Sequence, residues 1–174
     1  EKAAQELKDR IKMLIDIDNN SINVTTFHGL CLKIVREFGQ KKNDYALIKN
    51  DELAYKILEK FDDLGPFKSR EFKKNPLQAI TQSFLPFLDR LHDELLTLDG
   101  VSKRQLIYDE EEMNYQLEDL IRFYPIVQDM KKSANRLDYG DMILSAHQLL
   151  SSNDNILSKV QNKYRHLIID EFQD

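Results

Sequence analysis

Tryptophan is absent from this 174-residue chain, and cysteine occurs once, at Cys31. A single thiol excludes an internal disulfide and a cysteine-based metal cluster, and it fits a reducing compartment. Five glycines and four prolines are few for this length. Turns are therefore scarce, and the abundance of Leu, Ile, Lys, Glu and Asp predicts a mostly helical chain. Positive charge is not in excess either: the formal net charge is −5. Any contact with nucleic acid must come from a local basic face on an acidic body. No apolar run reaches the length of a membrane span. None of Gly29, Gly39, Gly65, Gly100 and Gly140 is followed by Lys, so the chain carries no Gly-x-x-x-x-Gly-Lys loop to cradle phosphates.

The remaining composition is 41% apolar and 32% charged, the balance of a globular chain rather than a disordered one. Ala4, Leu7, Ile11, Leu14 and Ile15 recur at helical spacing over 2–15. "NNS" at 19–21 breaks that helix. "INVTT" alternates and is β-branched, which predicts a strand at 22–26. Phe27, Leu30, Cys31, Ile34, Val35 and Phe38 form the apolar stripe of a second helix, closed by Gly39. Phe27 and Cys31 are read as core residues on this stripe.

From about 40 to 150 only helices are expected. Asn50 or Asp51 caps one of them. "LGPFKS" at 64–69 is a turn, Pro76 opens a further helix, and Pro86 kinks or splits the segment after it. "LDG" at 98–100 reads as a break. Ser102 and Gln105 read as a capping box for a long helix kinked at Pro125. Asp138 and Asp141 suit the N-cap and first turn of a helix ending near Leu150. A short helix then runs from "SSND" to about Lys163, and "HLIID" reads as a buried strand over 166–169. Two short strands separated by a helical stretch predict a parallel sheet with a helical insertion. Both ends, "EKAAQELKDRIKML" and "RHLIIDEFQD", read as internal cuts in a longer protein.

The acids at the last strand carry the chemistry. Ligands of parallel α/β proteins bind beyond the carboxyl ends of the strands, where Asp170 stands. A carboxylate there holds Mg²⁺ beside a nucleotide phosphate, and the adjacent Glu171 orients or deprotonates a water. "IIDE" alone is either this Walker B arrangement or a plain strand running into a polar turn. The acidic run "DEEE" at 109–112 reads as a solvated helix face, and His92, His147 and His166 as surface or packing residues without metal-ligand spacing.

The longer string "IIDEFQD" resembles motif II of the UvrD/Rep-type superfamily 1 DNA helicases, Asp-Glu-aromatic-Gln-Asp. "EKAAQELKDRI", with Ala3, Ala4, Glu6 and Arg10, is similar to the family's motif Ia segment. "TTFHGLCLKIVREFG" is similar to its Thr-Phe-His motif, and "LDYGDMILSAHQLL" to the Asp-Phe-Asp-Asp-Leu segment before motif II. The four matches keep the family's order and span the chain.

The resemblance implies an α/β parentage, with 1–39 and 151–174 belonging to a RecA-like ATP-binding domain and 40–150 to a helical insertion subdomain. The chain itself is then mostly α with two short parallel strands. It implies Asp170 as the acid associated with Mg²⁺ and ATP, Glu171 as general base, and Gln173 as the glutamine linking the nucleotide site to its surroundings. Thr26 and His28 match the motif that touches the backbone of single-stranded DNA. A hydroxyl and an imidazole N–H are both able to donate to phosphate at the start of a helix, while His28 also suits a capping or packing role. The activity implied is an ATP-dependent 3′→5′ helicase of DNA repair or recombination, acting on single-stranded and duplex DNA in a bacterial cytoplasm. The chain alone is expected to be inactive, because the phosphate loop, the second RecA-like domain and its arginines lie outside it.

Two departures from the pattern are Gly29, where the family often has Ser, and Gly140, which replaces an acid. The insertion's role stays open. Its basic residues Lys41, Lys42, Lys68, Arg70, Lys73, Lys74, Lys103, Arg104, Lys131, Lys132 and Arg136 either converge on DNA or scatter, leaving the insertion as a protein-docking or regulatory module. A helicase–nuclease parent is a further reading.

Overall fold

The computed structural model describes residues 2–14, 22–39, 45–103 and 111–170. The chain divides into two compact units, Glu1–Lys42 with Ser145–Asp174, and Asn43–Leu144.

The first unit contains α1 (Lys2–Leu14), α2 (Phe27–Phe38), the later turns of α10 (Tyr139–Ser152) and α11 (Asp154–Lys163). Thr26 caps α2 and Asn153 caps α11, each side-chain oxygen accepting an N–H three residues on. Ile34, Val35, Ala146 and Val160 are its buried apolar residues among those described. Lys163 Nζ lies 2.5 Å from both carboxylate oxygens of Glu37 and over the rings of Phe38 and Tyr164, tying α11 to α2. The α1 stripe is helical as expected, but Leu7, Met13 and Leu14 are exposed.

Neither strand expected in this unit is formed among the described residues. Residues 22–26 and 166–169 run without ladder bonds, and Leu167, Ile168 and Ile169 are exposed, Ile168 at 95%. A strand is held by pairing on its edges and by packing on its faces, and no described segment pairs with either stretch. Apolar, β-branched sequence alone does not make a strand.

The second unit carries the sheet that the sequence did not announce. Strands β1 (Ala46–Leu47) and β2 (Arg136–Leu137) pair in parallel, Ala46 with Arg136 and Leu47 with Leu137. Ala46 N–H donates to Asn135 O at 3.2 Å and Ile48 N–H to Leu137 O at 2.9 Å. The stretch 40–150 is therefore not purely helical. Two residues per strand are too few to show as alternation.

Around this ribbon lie α3 (Asn50–Glu59), α4 (Phe61–Leu64), α5 (Arg70–Lys74), α6 (Pro76–Ala79), a π-helical turn (Ile80–Phe84), α7 (Leu85–Asp93), α8 (Leu98–Lys103) and α9 (Glu111–Ser133). Asn50 is already helical and Lys49 stands at the cap without a side-chain bond. The π turn ends two residues before Pro86, whose missing N–H and bulky ring disfavour a regular α turn there. "LDG" is not a break: Thr97 Oγ1 accepts from Gly100 N–H at 3.1 Å and starts α8. Ser102 thus lies inside α8 rather than capping the next helix, and Gln105 is outside the described residues. Pro125 sits within α9, which is continuous through it.

The core of this unit is an aromatic cluster centred on Phe123. The rings of Phe61, Phe67, Phe72 and Phe84 have centroids 5.1–6.1 Å from it, the range of favourable tilted contacts. Beside it, the buried carboxylate of Asp119 accepts Lys68 N–H (3.1 and 2.9 Å) and Ser69 N–H (2.8 Å). Ser69 in turn caps α5. One acid on α9 therefore satisfies the backbone donors that precede α5. Replacing Asp119 by Ala strands those donors and is expected to cost about 2–4 kcal/mol. The measurement is the urea midpoint followed by circular dichroism, and a midpoint within error of the parent chain would show that water replaces the carboxylate.

Candidate functional site

Helix α2 begins in the geometry that its sequence dictates. Thr26 is extended (φ −76°, ψ 164°), and its Oγ1 accepts Gly29 N–H at 3.2 Å while its carbonyl accepts Leu30 N–H at 2.9 Å. A hydroxyl that accepts a cap bond keeps its own proton free to donate. His28 is half-buried in the first turn. Asn23 Oδ1 accepts from Lys33 Nζ at 3.3 Å, which places a cation on the next turns of the helix. Phe27 is 59% exposed and is not a core residue here, because its side of the helix meets no packed element among the described residues. The buried part of the stripe is Ile34 and Val35. Cys31 is half-buried, and burial pushes its thiol up from the ordinary range, which makes it a poor nucleophile.

Asp170 is exposed at the end of the non-helical segment after α11. Its carboxylate has the hard oxygen chemistry that Mg²⁺ selects. Glu171 and Gln173 lie outside the described residues, as do Lys41, Lys42 and Arg104.

Among the described residues, the basic side chains of the helical stretch do not gather into one free surface. Lys68 pairs with Glu118, Arg70 with Glu112, and Arg136 with Glu52. Lys73 Nζ donates to Lys68 O at 3.0 Å. Lys74 and Lys132 are exposed. Lys131 is 2% exposed, which overturns its reading as a solvated surface cation.

Lys131 belongs to a polar cluster that sequence reasoning missed. Its Nζ lies 2.5 Å from Asp138 Oδ2 and 2.6 Å from Asp141 Oδ2. The two acids stand at the N-cap and first turn of α10, as expected, and they also cap it reciprocally: Asp141 N–H donates to Asp138 Oδ1 at 2.8 Å, and Asp138 N–H to Asp141 Oδ2 at 3.0 Å. His92 of α7, 2% exposed, presents Nδ1 to Asp138 Oδ1 at 3.8 Å and Nε2 to Asp141 Oδ1 at 3.6 Å. The Gln128 amide is satisfied when its nitrogen donates to Asp141 Oδ1 (3.3 Å) and its oxygen accepts from Lys131 Nζ (3.2 Å). Two carboxylates and an imidazole at this spacing resemble a divalent-ion site, but the Lys131 ammonium already bridges both carboxylates. Burial, and then the neighbouring Asp138, push the Asp141 carboxyl up; Lys131 opposes the shift. The available sequence signal was register: Asp119, Phe123, Val127 and Lys131 recur every four residues, on one face of α9.

Gly140 makes room for His92. A Cβ built there would meet His92 Nδ1 at 2.1 Å and its Cβ and Cγ at 2.7 Å. The departure from the family's acid at this position therefore has a local cause: the imidazole fills the place of the missing side chain. In an open helix Gly→Ala stabilises by about 0.5–1 kcal/mol. Here Gly140→Ala is expected to destabilise by about 1–2 kcal/mol, because overpacking outweighs propensity. In a His92→Ala background the same change is expected to stabilise. Urea midpoints of the four chains check this, and an equal loss in both backgrounds would overturn it.

The family model for the UvrD/REP helicase N-terminal domain matches residues 1–174. A probable DNA helicase II homolog of Rickettsia conorii is 27% identical over 183 residues, covering 99% of this chain and 25% of the relative. A probable DNA helicase II homolog of Mycoplasma pneumoniae is 28% identical, covering 99% and 24%. The ATP-dependent DNA helicase PcrA of Staphylococcus aureus (strain NCTC 8325) is 25% identical, covering 99% and 22%. The chain spans about a quarter of the length of these relatives. With all of residues 1–174 matched by the model of the family's N-terminal domain, the chain belongs to the UvrD/REP helicase family.

Proposed function

We propose that the chain is part of an ATP-dependent DNA helicase that moves 3′→5′ on single-stranded DNA in a bacterial cytoplasm, in repair or recombination. In this reading 1–39 and 151–174 belong to a RecA-like ATPase domain, and 40–150 is an insertion subdomain. The observation that carries it is the start of α2: Thr26 and His28, the positions matching the family's DNA-contact motif, stand at the head of a 12-residue helix. There the hydroxyl proton, backbone N–H groups and helix dipole favour a phosphate. Lys33, bonded to Asn23, adds positive charge on the same helix.

The nucleotide chemistry belongs to the acids after residue 169. Asp170 is the residue for the Mg²⁺ that accompanies ATP, an ion that when bound neutralises charge on the phosphates. Glu171 takes the proton of the attacking water, and Gln173 couples the nucleotide site to its surroundings. In the full-length protein Glu171→Gln is expected to lower kcat for ATP hydrolysis by about 10²-fold or more while DNA still binds. Unchanged turnover would remove Glu171 from that role. The 174-residue chain, lacking a phosphate loop, is expected to hydrolyse no ATP.

A second reading applies to 40–150. Among the described residues, Lys131 is buried and Lys68, Arg70 and Arg136 pair with acids, which removes four of the basic residues from a free phosphate-tracking surface. This favours a protein-contact role for the helical stretch, with the DNA contact of the chain made at α2.

The test separates capping from phosphate contact. Asp caps a helix as well as Thr does, but it repels phosphate. Thr26→Asp is therefore expected to keep the urea midpoint while weakening binding to labelled single-stranded DNA, with the salt slope reduced by about one. Binding equal to the parent chain, or a slope unchanged within error, would show that α2 does not lie on the DNA track.

A further inference from the structure

Helix α10 belongs to both units. Its 14 residues divide into Tyr139–Leu144, within Asn43–Leu144, and Ser145–Ser152, within the other unit. It holds no proline, and Gly140 is its one glycine, so nothing from Asp141 onward breaks it. The two parts form one run of helical backbone.

The two parts are not held alike. At the first turn Asp138 and Asp141 each accept the other's N–H, and Lys131 Nζ reaches both carboxylates at 2.5 and 2.6 Å. Asp141 and Met142 are buried there, and Met142 N–H donates to Asp138 O at 3.3 Å. Of Ser145–Ser152 only Ala146 is buried. Forming the first turn is the unfavourable step of a helix, and later residues add at little cost. A free helix shorter than about 12–15 residues is marginal in water, so Ser145–Ser152 alone lacks a nucleus. The anchored first turn supplies it.

We propose that α10 couples the stability of the two units: its first turn, fixed by Lys131, Asp138 and Asp141, nucleates the turns that belong to the other unit, and loosening of either part loosens the other. Coupling through local unfolding is reciprocal. A ligand that steadies Asn43–Leu144 therefore steadies Ser145–Ser152, and with it the chain leading to α11 and Asp170. That ligand is the protein partner of the helical stretch. The partner rests on the proposed function, whereas the coupling needs only the helix.

The experiment is amide hydrogen exchange on the 174-residue chain in urea below its midpoint, with a remote change, Val127→Ala, beside it. Val127 is buried on α9, within Asn43–Leu144, and its truncation leaves the sequence of α10 untouched. It is expected to lower protection at Met142 by about tenfold or more, and protection at Leu149–Ser151 by the same factor. Two glycines inserted between Leu144 and Ser145 should cut the transmission, so that Val127→Ala then lowers Met142 alone. A fall at Met142 with Leu149–Ser151 level in the chain without the insertion overturns the proposal, as does transmission that survives the insertion. The unaltered chain decides even if a variant fails to fold. Met142 and Leu149–Ser151 should share one opening free energy and one urea slope, and two distinct slopes overturn the proposal. The Thr26→Asp result bears on DNA contact and not on α10, so the two can fail separately.

Discussion

The helical unit depends on one face of α9. Asp119, Phe123, Val127 and Lys131 are spaced four apart and all buried. The stripe is charged at both ends and apolar in the middle. Phe123 gathers the aromatic core, Asp119 takes the backbone donors before α5, and Lys131 holds the two acids that start α10. One continuous helix thus sets the position of three neighbours by three different kinds of contact. Its middle supplies most of the burial energy, since a large aromatic buried in a core contributes several kcal/mol.

The charged ends act differently. Burying an ion pair gains little net stability, because desolvation offsets much of the attraction. Breaking one partner is costly, however, so a buried pair penalises any arrangement that separates its members. Lys131 therefore fixes the register between α9 and the first turn of α10 more than it adds stability. The two-residue parallel ribbon works at the same point. Asn135, with φ 57°, turns the chain out of α9, and β2 then pairs with β1 immediately before Asp138. Asn accepts this left-handed conformation more readily than most residues.

Helix positions were legible in the sequence because caps and periodicity are local. Thr26, Ser69, Asn75 and Asn153 each cap where short polar side chains precede an apolar stripe, and Asp138 and Asp141 stand at the N-cap and first turn of α10 as their spacing predicts. The strands were not legible in the same way. Ile22–Thr26 and Leu167–Ile169 have strand-like composition, but pairing depends on partners that composition does not contain. The true ribbon, at Ala46–Leu47 and Arg136–Leu137, is too short to leave a pattern. Likewise, Lys131 read as a surface cation because lysine usually is one. Only its four-residue register with Phe123 and Val127 marked it as internal. Of the candidate site, Thr26 and His28 stand at a helix start that the apolar stripe predicts, whereas Glu171 and Gln173 lie outside the described residues.

The start of α2 shows that a threonine cap can offer more than the cap bond itself. A cap needs an acceptor for the backbone N–H of Gly29, and a phosphate needs a donor. Asp satisfies the first demand alone. A threonine hydroxyl satisfies both at once, since its lone pair and its proton point in different directions. The neighbouring glycine preserves that freedom. A Cβ at Gly29 would lie 2.4 Å from Thr25 Oγ1 and 3.3 Å from Thr26 Oγ1, so a larger residue would crowd both hydroxyls. The Ser common in the family at this position would add a third hydroxyl but force Thr25 to rotate. In this chain Gly29 instead leaves the Thr25 and Thr26 hydroxyls side by side at the head of the helix.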